Sequence, residues 1–161
     1  MNRKSVVLVM GMLVAALSAG GEGVANADRP LPRLTVYSEN LGTFGDHDYC
    51  RGAVHVGLTA PTAKRGIVRL TLRSHGFTGN GIGWKRNPHC RALLVVATTS
   101  GAAPYKETLV PVSFGAKAGE RVVRDIRSGS GPVNVGITPY ATTTPVRTPQ
   151  GQGVGAIVLV P

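Results

Sequence analysis

The chain has 161 residues, with 18 Lys and Arg against 8 Asp and Glu, a formal net charge of +10. Its hydrophobic content of 42% with only 16% charged residues excludes an intrinsically disordered chain, and the length indicates one folded unit. Twenty-two Gly and eleven Pro disfavour a helical bundle and suit short strands joined by turns.

The first element is a leader. Arg3 and Lys4 precede an apolar run at residues 6–16, broken only by Gly11, and Ala25-Asn26-Ala27 follows. A basic start, a short apolar stretch and an A-x-A site predict a secretory signal peptide over residues 1–27, cleaved after Ala27. The run falls short of the ~20 residues that span a bilayer. The expected product is a secreted single domain, residues 28–161, with no transmembrane segment. Losing Arg3, Lys4 and Glu22 leaves 16 Lys and Arg against 7 Asp and Glu, a formal +9. The Ala-, Gly-, Val- and Arg-rich, Lys-poor composition suggests a bacterial source with a GC-rich genome.

Alternating apolar and polar residues predict about eight strands. The first spans residues 33–38. Residues 53–59 alternate Val54, Val56 and Leu58 with Ala53, His55 and Gly57. Residues 66–74 alternate Val68, Leu70 and Leu72 with Arg69, Thr71 and Arg73. Residues 92–99 are apolar on both faces, as in a central strand. Residues 107–114 contain Pro111, which belongs at an edge or a bulge. Residues 121–127, 132–138 and 154–160 complete the set, and no segment carries a helical period. Half-polar strands of this kind pack as antiparallel sheets face to face. The predicted fold is therefore an all-β, two-sheet, immunoglobulin-like sandwich, with a small barrel as the alternative.

Cys50 and Cys90 are the only cysteines. In an exported chain they predict a disulfide, which closes a loop of about 40 residues and stabilises by roughly 4 kcal/mol on the chain-entropy model. The competing reading is a zinc site completed by His47 and His89. Its His-x-x-Cys and His-Cys spacings are poor ligand pairs, so no metal is expected. Trp84 lies between the cysteines, in outline as in immunoglobulin domains, but in a glycine-rich loop.

That loop holds Gly76, Gly79, Gly81 and Gly83 before Trp84, Lys85 and Arg86. Glycines let backbone amides approach an anion, but a phosphate loop needs Lys then Ser or Thr, then a helix. Arg86, Asn87 and Pro88 follow Lys85, so no nucleotide and no other cofactor is expected. The loop is read either as an exposed recognition element or as a tip with Trp84 folded onto the core.

The basic residues give the leading binding hypothesis. Arg69 and Arg73 share a strand face, and Arg121, Arg124 and Arg127 mark a second basic stretch. Binding is assigned to Arg69, Arg73, Trp84, Lys85 and Arg86. The partner is an anionic envelope polymer, a lipid headgroup or a protein. Specific nucleic-acid binding is not expected, because 5% aromatic residues supply too little stacking surface. The alternative is a hydrolase built on Asp46-His47-Asp48, where a carboxylate would orient an imidazole. It would need a serine, and none lies in a G-x-S-x-G context. A third reading is association through strand edges, near Pro111 or the first strand. Residues 141–153, with Thr142, Thr143, Thr144 and Thr148 among prolines and glycines, read as a long loop open to O-glycosylation.

Overall fold

The computed structural model describes residues 28–161 apart from positions 102 and 143. The predicted signal peptide lies outside the described residues. Ten strands and one short helix follow in the order β1 (Arg29–Pro30), β2 (Arg33–Ser38), β3 (Asn40–Phe44), β4 (Arg51–Ala60), β5 (Ile67–Thr78), α1 (Ile82–Arg86), β6 (His89–Ser100), β7 (Lys106–Gly115), β8 (Arg121–Arg127), β9 (Gly131–Tyr140) and β10 (Val154–Val160). They form two five-stranded sheets. One runs β1-β4-β5-β8, with β3 also paired to β4; the other runs β2-β10-β9-β6-β7. All pairings are antiparallel. The sheets stay open, so the architecture is a sandwich and not a closed barrel.

The connectivity is of the immunoglobulin kind. The pairings β4-β5-β8 and β7-β6-β9-β10 follow the A-B-E and C′-C-F-G strand orders of that fold. The disulfide differs. It links Cys50, just before β4, to Cys90, the second residue of β6, instead of joining strands B and F.

Period-two alternation builds the core. Val54, Val56 and Leu58 of β4, with Val68, Leu70 and Leu72 of β5, point inward. Leu94 and Val96 of β6, Val133, Val135 and Ile137 of β9, and Val158 of β10 meet them from the other sheet. Each such side chain contributes about 1.5–3 kcal/mol on burial. Phe77 of β5 stacks on Phe114 of β7 across the layers, with centroids 5.6 Å apart. Gly52 makes room for the Phe77 ring, against which any Cβ at that position would collide.

The edges match their residues. Pro111 lies on β7, an outer strand that needs no donor there. Strand β6, apolar on both faces, is central, and Val95 is buried on its outer side. Strand β8 ends its sheet and carries exposed Arg121, Arg124 and Arg127.

The disulfide ties the two sheets together at one end. Both cysteines are fully buried, with Cα atoms 5.7 Å apart. Gly45 lies against it so closely that a Cβ there would overlap both sulfurs. Gly45→Ala is expected to cost about 1–3 kcal/mol through overpacking, and the double replacement Cys50→Ala/Cys90→Ala about 4 kcal/mol. In the cysteine-free background the Gly45→Ala cost should shrink markedly. Urea unfolding of the four proteins in a double-mutant cycle measures this coupling, and simple additivity would show that the sulfurs are not what crowds position 45.

Candidate functional site

Two places gather polar chemistry. The first is the corner around the disulfide, where the segment between β3 and β4 carries Asp46, His47 and Asp48. The Asp46 side chain is almost fully buried, at 2% exposure. It accepts the Arg91 backbone N–H at 3.0 Å and the Arg91 Nε at 2.6 Å, and its Oδ1 lies 2.9 Å from His47 Nδ1. Burial pushes the carboxyl up, but the bonds from His47 and Arg91 outweigh it and hold Asp46 below its ordinary value. The hydrogen bond to Asp46 raises His47, and the Asn87 carbonyl, 3.2 Å from Nε2, adds to the rise against partial desolvation.

Asp48 does a different task. Its Oδ2 accepts the Trp84 backbone N–H at 2.6 Å and so caps helix α1 from 36 residues away. Gly81 and Gly83 wrap the same carboxylate, and a Cβ at either would overlap it. The anion cradled by the glycine-rich loop is therefore the chain's own Asp48. Gly79 clears space for the Trp84 ring, which packs partly buried against the core, 6.2 Å from His47. Sequence reasoning expected no helix here. A capping group so distant in sequence, and a stop at Asn87-Pro88, produce this five-residue one.

This corner opens on a cavity of about 810 Å³, lined by Phe44, Tyr49, Asn80 and Gln150 beside the acid cluster. Hydrolysis by a serine would need an imidazole nitrogen able to take its proton. Both His47 nitrogens already face acceptors, and no serine lines the cavity. Asp46, His47 and Cys50 bring ligand-type atoms within 4.8 Å of one another, but the Cys50 sulfur belongs to the disulfide and offers no thiolate. His89 is exposed at the start of β6.

The second place is the outer face of the β3-β4-β5-β8 sheet. Here the proposed cationic residues part company. Arg69 binds Asp28 through Nη1 at 2.9 Å and Asp125 through Nε at 2.7 Å, while Lys64 takes the other Asp125 oxygen at 2.8 Å. Hydrogen bonds from Arg69 and Lys64 drive Asp125 far below the usual carboxylate range. Arg69 is thus an internal clamp and is not available to a partner. Lys85 and Arg86 are exposed on α1, beyond the Thr78 end of β5. Nine residues of strand, about 30 Å, separate Arg69 from that end. Arg69, Arg73, Lys85 and Arg86 therefore do not converge, and Trp84 faces inward.

Arg73 has a neighbour that sequence reasoning did not pair with it. In register across the sheet stand Asn40 of β3, His55 of β4, Arg73 of β5 and Arg121 of β8. His75, two residues beyond Arg73, shares the face, and its Nε2 lies 3.2 Å from Asn40 Oδ1. His55 Nδ1 lies 3.4 Å from the same oxygen. His55, Arg73 and His75 line a surface cavity of about 460 Å³, closed on one side by Ala118 and Gly119. Alternation in residues 53–59 marked His55 as outward-facing; His75 and Asn40 carried no signal.

The charge balance explains why this face stays cationic. All seven acidic residues among the described residues are engaged within the chain. Asp28, Glu39, Asp46, Glu107 and Asp125 pair with Arg or Lys, Asp48 caps Trp84, and Glu120 accepts the Gly115 N–H at 2.8 Å. Only Arg33, Lys64, Arg69, Arg91 and Arg147 use those carboxylates in ion pairs. The other eleven Lys and Arg have no carboxylate partner among the described residues.

No family model, curated protein or solved structure matches the chain.

The corner predicts a pH dependence. Raised above its ordinary 6.5, His47 stabilises the fold fully below that value, and the contribution is lost as pH rises through the raised one. Asp46, held below 3.8, stabilises above that value and loses its contribution as pH falls through the lowered one. The gap in urea midpoint between wild type and His47→Gln should be larger at about pH 5.5 than at about pH 8.5. Trp84 emission, read as a function of pH, should report the same titration, with a midpoint above 6.5 that vanishes in His47→Gln.

Proposed function

We propose that this protein is an exported, non-enzymatic binding module that docks on an anionic polymer of the cell envelope through the outer face of the β3-β4-β5-β8 sheet. The observation that carries this reading is the charge separation. Every described carboxylate is consumed internally, while exposed Arg73 and Arg121 stand side by side without a counter-charge. Long-range attraction draws such a face to polyanions. Export is supported by the leader pattern in residues 1–27 and by the buried Cys50–Cys90 disulfide, a bond that persists in oxidising compartments. Among the described residues no helix is long and apolar enough to cross a membrane.

The docking face is Arg73 and Arg121, with Arg127 further along the same face of β8, and Lys85 and Arg86 as a separate, secondary patch. Arg69 drops out of the binding set, because its guanidinium is held by two carboxylates.

Retention on immobilised anionic envelope polymer should fall by roughly tenfold or more between about 0.05 and 0.5 M salt, as screening shortens the reach of the face. Arg73→Glu/Arg121→Glu should abolish it. Lys85→Glu/Arg86→Glu should weaken it less, and Arg69→Gln should leave it nearly unchanged. Salt-independent retention, or full retention by the Arg73→Glu/Arg121→Glu protein, would refute the assignment. Intact mass of protein recovered from the medium should fit a chain that begins at Asp28 and gains two hydrogens on reduction.

A further inference from the structure

We propose that Arg73, Arg121, His55 and His75 form a discrete site for a phosphate group, one that tightens as the pH falls. This rests on the anionic-partner reading above and narrows it to one ligand chemistry.

The register is the starting point. Arg73 and Arg121 are direct partners on neighbouring antiparallel strands, with Cα atoms about 5 Å apart. Like charges placed directly opposite destabilise a sheet. The carboxylates that could relieve them are turned elsewhere. Glu39 is paired with Arg33, Glu120 accepts the Gly115 N–H, and Asp125 belongs to Arg69 and Lys64. Lys117, next in sequence to Ala118, is exposed in the β7–β8 loop. A bound anion would offset the two adjacent guanidinium groups.

The shape and donor set favour phosphate over carboxylate. The cavity of about 460 Å³ is bounded by strands on one side and by Ala118 and Gly119 on the other. The loop is held by the Gly119 N–H donating to the Ser74 carbonyl at 2.7 Å. Guanidinium forks match the oxygens of phosphate two at a time. The oxygens of a phosphate are splayed about a tetrahedral centre, so even the two unesterified oxygens of a diester can face arginines on neighbouring strands, whereas a carboxylate's two oxygens lie in one plane with its carbon. The volume leaves room for the atoms attached to the phosphate, as in a phosphodiester polymer.

The histidines supply the pH dependence. Asn40 Oδ1 accepts from both rings, from His55 Nδ1 and from His75 Nε2. That single acceptor fixes both tautomers. In the neutral rings His55 Nε2 and His75 Nδ1 carry lone pairs, which repel an oxyanion. Protonation turns both into N–H donors without disturbing the bonds to Asn40. His55 of β4 and Arg73, Ser74 and His75 of β5 line the cavity, with Asn40 of β3 bonded to both rings and Arg121 of β8 paired in register with Arg73.

The test uses the full secreted chain and three probes: poly(glycerol phosphate), polyglutamate of matched charge spacing, and inorganic phosphate. Affinity is read by calorimetry, and the site by imidazole and Arg Nε resonances in heteronuclear NMR. Poly(glycerol phosphate) is expected to bind at least fivefold more tightly than polyglutamate, and at least tenfold more tightly at pH 5.5 than at pH 7.5. A diester keeps its charge over that range, so the change belongs to the protein. His55→Gln/His75→Gln should flatten the pH profile, and Arg73→Gln/Arg121→Gln should remove binding. Inorganic phosphate moving the same four side chains without polymer binding would keep the site and assign it to the free ion. Equal, salt-sensitive binding of both polymers would overturn the phosphate site while leaving the anionic-polymer reading standing. Binding of neither polymer at low salt, with no response to phosphate, would sink both. Should a double variant fail to fold, the wild-type His55 and His75 resonances still decide: no shift on adding poly(glycerol phosphate) refutes the site.

Discussion

The joint between the two sheets at Cys50–Cys90 is the constraint on which the rest depends. The disulfide itself sets only one distance. Around it the chain places Gly45 against the sulfurs, Asp46 on both backbone and side chain of Arg91, and Asp48 under the first turn of α1. One short segment thereby fixes the start of β4, the start of β6 and the loop between β5 and β6. Asp48 and Tyr49 adopt φ of 48° and 50° to make this turn, an uncommon conformation for residues with a Cβ. Its cost, of order 1–3 kcal/mol each, is borne because every neighbour of the turn is bonded to it. The acid–base cluster that reads as catalytic in one dimension serves architecture in three.

The same logic separates the arginines. Arg69 and Arg73 look alike on one strand face, four residues apart. Arg69 meets Asp28 and Asp125, and Arg73 meets Arg121. The difference comes from which residue of β8 lies opposite, and β8 joins β5 only after the chain has passed through the second sheet. The charge free to meet a partner is the charge left over once the carboxylates have been assigned, and Arg73 and Arg121 stand together in it on one sheet.

The sandwich was legible because its cause is local. Alternation of Val, Leu and Ile placed eight strands, and the bounds of β2, β8 and β10 match the predicted residues. Pro111 announced its edge. Strands β1 and β3 escaped notice for want of length and pattern: Arg29–Pro30 has two residues, and Asn40–Phe44 has only Leu41 and Thr43 buried around Gly42. Helix α1 escaped because its cap is Asp48, far back in the chain. The candidate site escaped because no local pattern connects Asn40, His55, His75 and Arg121. Only strand register brings them together, and register depends on pairings with long separations in sequence.

Strand β8 ends its sheet with three exposed arginines, and their repulsion discourages a second copy from adding its own edge there. That edge borders the proposed docking face. A polyanion that neutralises the arginines therefore also lifts the barrier to edge-to-edge pairing. On the proposed polymer, molecules would lose the charge that opposes such pairing. Under the proposed docking, attachment and lateral assembly would be coupled through side chains of one edge strand, and coverage of a surface would grow in patches instead of evenly.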